Sequence, residues 1–299
     1  MSKDQLLALD QEIRDRPSMA GLDIAGMRTA FAGRMAANEG LPGVRVEADT
    51  LGGVPVARIG AETGDDVVFH LHGGSYVLGS ATAMARLSGA IGARAGARVI
   101  SVDYRLAPEH PFPAGLDDAL AAYRGLLDSG VPAARIAFAG ESAGGGLVLA
   151  TLLAARDAGL PLPSSAVALS PWVDLTMSGE SLTNRVAFDP SMRKEGLLAS
   201  ALTYYAETDP ADPLISPVFA DLRGLPPLLI QVGSNEILLD DALRLAARAA
   251  ADAVDVRLEV TAGASHVFQV FGDRLDEAGA ALDNIGAFIR SRFPVAVPA

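Results

Sequence analysis

The sequence predicts an α/β fold: a mostly parallel, doubly wound sheet of about eight strands flanked by helices, with a helical cap over one edge. Three observations carry this expectation. From residue 67 onward, short apolar segments of strand length alternate with segments of helix length. The run Arg135-Ile-Ala-Phe-Ala-Gly-Glu-Ser142-Ala-Gly-Gly-Gly-Leu-Val-Leu-Ala sets a glycine-rich turn between a strand and a helix. Between Ser170 and Leu228 lie more than fifty residues, too many for one ordinary connection.

Taken in order, residues 3–15 and 21–38 read as amphipathic helices, broken by Pro17 and Ser18 and closed by Gly40 and Pro42. Val44 to Asp49 and Val54 to Ile59 alternate apolar and polar residues around Gly52-Gly53, which predicts a hairpin. Val67 to His72 is more apolar and reads as the next strand. A helix over 82–95, a strand from Arg98 to Asp103 and a helix over 114–128 follow. Ile136 to Ala139 forms the next strand, and the helix after it opens at Ala143. Further strands are expected at Ala166 to Ser170, Leu228 to Val232 and Val256 to Thr261, with helices over 236–252 and 274–292. The long interval holds a helix over 194–206 and is rich in Asp, Ser and Pro. The expected division is therefore 1–42 as the N-terminal part of the cap, 43–175 as core, 176–222 as cap insertion and 223–299 as core.

Composition narrows the function. A chain of 299 residues that is 50% hydrophobic can bury a large core, and α/β chains of this length often form one domain. Mean hydropathy is +0.28, yet the apolar runs are broken by Gly, Pro and charges before any could span a bilayer. The first residues, Met-Ser-Lys-Asp-Gln-Leu-Leu, do not pair a basic with an apolar segment. No signal peptide is expected, and a cytoplasmic location is. There is no cysteine, which rules out disulfides, thiolate nucleophiles and cysteine-ligated metal. A net charge of −12 without basic runs argues against nucleic acid as a partner.

Chemistry enters with the turn. Gly140-Glu-Ser142-Ala-Gly144 spells G-x-S-x-G between strand and helix. A serine on so tight a turn needs neighbours without a Cβ, and its hydroxyl is then raised above the sheet edge. A serine nucleophile requires a base, an orienting acid and an oxyanion pocket. Of the four histidines, His70 lies within a strand and His110 in a Pro-rich loop, so both read as structural. His266, just past the last strand, is the expected base. Glu236, just past the strand Leu228 to Val232, is the expected acid, with Asp240 next in line. Its competing reading is a first-turn acid beside a Ser234 or Asn235 helix cap. The backbone N–H groups of Gly73, Gly74 and Ala143 are the expected oxyanion donors, supported by His72 and Glu141.

These segments together resemble the bacterial hormone-sensitive-lipase-like family of α/β-hydrolase carboxylesterases. The likeness rests on His72-Gly73-Gly74, Asp103-Tyr-Arg-Leu-Ala-Pro-Glu-His-Pro-Phe-Pro-Ala114, Gly140-Glu-Ser-Ala-Gly-Gly145, Ser170-Pro-Trp-Val-Asp-Leu175 and the order Ser142, Glu236, His266. It implies an α/β-hydrolase fold with a cap and hydrolysis of short- to medium-chain esters through an acyl-enzyme. It implies no metal and no other cofactor, a small-molecule ester as substrate, and a homodimer, which is frequent in that family. The same triad could serve a lipase, or an amidase, carbamate or lactone hydrolase. A non-catalytic receptor of this fold would have lost the histidine, whereas His266 is present. Two positions depart from the family pattern: Ser75 stands where a third glycine is usual, and Glu236-Ile237 where Asp-Pro is usual.

Overall fold

The computed structural model describes residues 2–38, 40–60 and 64–295. Positions 1, 39, 61–63 and 296–299, which the division above includes, lie outside the described residues. Eight strands form one sheet: β1 Val46–Leu51, β2 Val54–Ile59, β3 Val67–Leu71, β4 Arg98–Val102, β5 Ile136–Glu141, β6 Ser165–Leu169, β7 Leu228–Gly233 and β8 Val256–Thr261. Their spatial order is β1-β2-β4-β3-β5-β6-β7-β8. The expected hairpin is β1–β2, and β2 joins β4 antiparallel; every later pairing is parallel. The helices are α1 Lys3–Arg14, α2 Ile24–Ala36, α3 Ala85–Ala95, α4 Ala114–Asp128, α5 Ala143–Asp157, α6 Ser181–Asn184, α7 Lys194–Tyr205, α8 Leu239–Ala251 and α9 Asp276–Arg290.

Local chemistry sets several helix ends. The Asp23 carboxylate caps α2 by accepting from Gly26 N at 2.8 Å. Gly96, left-handed at φ +66°, closes α3. The expected helix over 236–252 begins only at Leu239, because the preceding residues form a turn that carries Glu236. The short helix α6 was not anticipated; four residues are too few to show a periodic pattern.

Alternation along each central strand divides the core. Val67, Phe69 and Leu71 of β3, with Ile136 and Phe138 of β5 and Ile230 of β7, face one cluster. Val68, Ala137, Val167 and Leu229 face the other. Helices α4, α5 and α8 cover the first face, and α3 and α9 cover the second. Both faces being covered explains why β3, β5, β6 and β7 are buried at every position. On the first face Phe69 and Phe138 stack at 4.8 Å, with Tyr123 edge-on to both. Each such buried ring contributes on the order of 2 kcal/mol by area.

Parallel register is what builds a site. Leu71 lies beside Gly140, Glu141 beside Leu169, and Leu169 beside Gln231. The strands thus end in step, and the residues following them share one edge, where open α/β sheets bind ligands. Residues of α1, α2 and the segment 176–222 line one cavity with Gly73 and Gly74 at this edge. Arg14 of α1 donates to the carbonyls of Ala187 and Phe188 in that segment at 3.3 and 3.1 Å. Leu6, Leu9 and Ile13 of α1 pack against Phe268, Phe271 and Leu275. Among the described residues no helix is long and apolar enough to cross a membrane.

Candidate active site

The turn after β5 has the geometry that its sequence demands. Ser142 is at φ +56°, ψ −123°, a backbone conformation that side-chain-bearing residues rarely adopt. A Cβ on Gly140 would lie 2.5 Å from Gly144 O, and one on Gly144 only 2.0 Å from Leu71 O. Both glycines are therefore steric requirements of the turn. Gly144→Ala is expected to destabilise the fold by about 3 kcal/mol or more, since backbone would have to move; urea denaturation checks this.

Ser142, at the N-terminus of α5, is 6% exposed, and its Oγ lies 3.0 Å from His266 Nε2. His266 Nδ1 lies 2.8 Å from Glu236 Oε2. Three side chains separated by 94 and 30 positions thus form one hydrogen-bonded line, counting 236 − 142 and 266 − 236. Glu236 is fully buried; its Oε1 accepts from Gly233 N at 2.6 Å and Ser170 Oγ at 2.7 Å. Ser170 Oγ in turn accepts from Val267 N at 3.0 Å, beside the histidine. Asp240 is turned elsewhere: its Oδ2 accepts from Ser181 N at 2.8 Å and holds the segment 176–222.

The electrostatics of His266 follow from this arrangement. Burial of the ring opposes protonation most strongly. The hydrogen bond and charge of Glu236, with the charges of Asp189 and Glu141 behind it, overcome that opposition and raise its pKa above the ordinary value.

The loop after β3 corrects one expectation. Gly73 N donates to Glu141 Oε1 at 2.5 Å, so this amide is committed and cannot also serve a substrate oxygen. The physical reason is the burial of Glu141, whose carboxylate must be satisfied inside the protein: Oε2 bonds His70 Nε2 at 2.8 Å and Oε1 takes the Gly73 amide. The chain then turns. Gly74 has φ +124° and Ser75 φ +55°, and the N–H groups of Gly74, Ser75 and Ala143 make no hydrogen bond to any described residue. His72 lies beneath the loop, its ring stacked on Tyr104 at 4.2 Å and its Nδ1 2.8 Å from Gly73 O. Burial pushes the His72 pKa below its ordinary value, against that bond. His70 bridges Glu141 and Ser101 and lies away from the serine's hydrogen bonds.

Two residues escaped sequence reasoning. Ser170 reads in the sequence as a strand end and a motif residue; the structure ends β6 at Leu169, and Ser170, directly after it, meets Glu236. Asp189 is fully buried; its Oδ2 accepts from Ile237 N at 3.0 Å, and its Oδ1 from Ser191 N and Met192 N at 2.9 and 2.8 Å. It ties the residue after Glu236 to the segment 176–222, and nothing local in the sequence marks it.

Ser142 and His266 open onto a cavity of about 220 Å³. Gly74 and Ser75 line it from the sheet edge, Ile13 and Phe31 from the N-terminal segment, and Met192 from the 176–222 segment. Among the described residues no group of three or more His, Cys, Asp or Glu could hold a metal ion.

Known proteins share this arrangement of elements. A family model described as the alpha/beta hydrolase fold matches residues 68–270. An acetyl-hydrolase of Streptomyces hygroscopicus is 48% identical over 224 residues, 75% of each chain. An esterase of Acinetobacter venetianus is 38% identical over 252 residues, 84% of this chain and 83% of its own. The crystal structure of an esterase from the bacterial hormone-sensitive lipase family superposes with a TM-score of 0.94 at 42% identity, covering 98% of this chain and 100% of that one. With two thirds of its length inside the family match and a near-complete structural overlay, the chain belongs to the bacterial hormone-sensitive-lipase family of α/β hydrolases.

Proposed function

We infer that the chain is a serine carboxylesterase that hydrolyses short- to medium-chain carboxylic esters through an acyl-enzyme. The observation that carries this reading is the line Ser142 Oγ, His266 Nε2, His266 Nδ1, Glu236 Oε2, with contacts of 3.0 and 2.8 Å, opening onto a cavity. In the proposed reaction His266 Nε2 takes the Ser142 proton as Oγ attacks the ester carbonyl carbon. The carbonyl oxygen becomes an oxyanion facing the amides of Gly74, Ser75 and Ala143, which have no competing acceptor. His266 returns the proton to the departing alcohol, leaving Ser142 acylated. Water then attacks, its proton taken by His266, and the carboxylic acid leaves as Ser142 is regenerated. Glu236 holds the Nδ1–H tautomer and stabilises the imidazolium.

The same reading assigns 1–42 and 176–222 to a cap over a core of 43–175 and 223–299. Its support is that Ile13, Phe31 and Met192 line the cavity together with Gly74 and Ser75. A homodimer and a cytoplasmic location complete the reading; light scattering of the purified chain and fractionation of the producing cell check them.

A hydrolysis panel of p-nitrophenyl esters from acetyl to palmitoyl, beside a matching anilide, tests the activity. Turnover is expected to peak among the shorter esters. A peak at palmitoyl, or faster cleavage of the anilide, would replace this reading with a lipase or an amidase.

The pH profile has a definite sign. Turnover needs neutral His266, and its pKa is raised, so kcat/KM should fall tenfold per unit of pH below a midpoint that lies above the ordinary histidine value. Stability carries the opposite sign: what this ring contributes is complete below the unfolded pKa and is lost as pH rises through the folded one. An acid limb with its midpoint below the ordinary histidine value would mean that burial outweighs Glu236 at this ring.

A further inference from the structure

The cavity that holds Ser142 is apolar over much of its wall, yet two guanidinium groups, Arg16 and Arg34, line it. The single carboxylate among the lining residues is Glu141, and its two oxygens are already engaged by Gly73 N and His70. Arg16 is held by Glu12 at 3.1 Å, and Glu12 is shared with Arg274. Arg34 has no carboxylate partner among the described residues; its hydrogen bond goes from Nη2 to the carbonyl of Pro17. Burial, and then repulsion from Arg16, lower its pKa from the ordinary value. A guanidinium remains charged at neutral pH all the same.

The context makes this cation informative. The chain carries a formal charge of −12, yet no acid that lines this cavity pairs with Arg34. A neutral ester gives no return for drawing a charged group partly out of water beside a second one. An anion entering the cavity would, because a guanidinium pairs with a carboxylate through two parallel N–H···O bonds. Both arginines belong to the N-terminal segment, whereas Ser142 and His266 follow strands of the sheet. The charge is thus presented by elements other than those that act on the ester carbonyl.

We propose that the preferred substrates are esters bearing a carboxylate remote from the scissile bond, with Arg34, assisted by Arg16, binding that carboxylate. Monoesters of aliphatic dicarboxylic acids are the simplest members of the class. The proposal rests on the carboxylesterase reading above and changes none of its steps. The bond broken is still acyl carbon to alkoxide oxygen, and the remote carboxylate takes no part in the chemistry.

The test compares monomethyl with dimethyl esters of glutaric, adipic and suberic acids, which differ in charge at nearly constant length. The ratio of kcat/KM for monoester over diester is expected to exceed one for the wild type at one or more lengths. Added salt should lower it. Arg34→Gln should reduce the ratio tenfold or more, chiefly through the KM of the monoester, and Arg34→Lys should retain part of it. Because both esters are measured on one preparation, the ratio does not depend on the fraction of folded enzyme. The proposal is overturned by a ratio unchanged in Arg34→Gln, by a ratio below one at every length, or by failure to cleave any of these methyl esters while p-nitrophenyl butyrate is cleaved. Loss of p-nitrophenyl butyrate hydrolysis itself would overturn the carboxylesterase reading, and this proposal with it.

Discussion

Ser142→Ala is expected to lower kcat by about five to six decades, down to the residual rate that binding and the oxyanion amides supply. The Oγ removed has one hydrogen bond, to His266 Nε2, so the loss should be chemical and not structural. Circular dichroism and the urea midpoint should stay close to wild type. An organophosphonate should label wild-type Ser142 and leave the variant unlabelled, with mass spectrometry locating the adduct. Label found on another serine, or turnover surviving the substitution, would remove the nucleophile from the mechanism.

Glu236→Gln should cost about three to four decades in kcat, and the reason is tautomeric. Two donors, Gly233 N and Ser170 Oγ, converge on Oε1, while Oε2 faces His266 Nδ1. A glutamine has one carbonyl oxygen, and the two donors will claim it. The amide NH₂ then faces Nδ1 and forces that nitrogen to accept. The proton moves to Nε2, where it blocks removal of the serine proton. Asp240→Asn provides the contrast. That carboxylate accepts from Ser181 N and does not touch the imidazole, so kcat should change by less than about threefold. Comparable losses at both positions would mean that the acid assignment is wrong.

The element order was largely legible because the strands are short, apolar and punctuated by glycine and proline. Helix starts were less so. The expected helix at 236 begins at Leu239, since Glu236 is held by the line to His266 and by Gly233 N instead of by a helical turn. The departure from the family pattern at Glu236-Ile237 also finds a physical account. Ile237 N donates to Asp189 Oδ2, a bond that proline could not make. The other departure, Ser75, keeps a backbone N–H at the third place of the loop and bears the cost of a positive φ.

By itself the sequence determined the strand-turn-helix at Ser142, the histidine after the last strand and the acid after the strand before it. Each is marked by short-range spacing against an apolar run. Only the tertiary structure decided which amides remain free for an oxyanion, which of two nearby acids meets the imidazole, and that Ser170 and Asp189 brace the acid loop. Those outcomes depend on where an N–H or a carboxylate points across separations of 30 to 68 positions. Direction at that range is set by parallel register and by the need to satisfy every buried polar group, and no local pattern of residues encodes it.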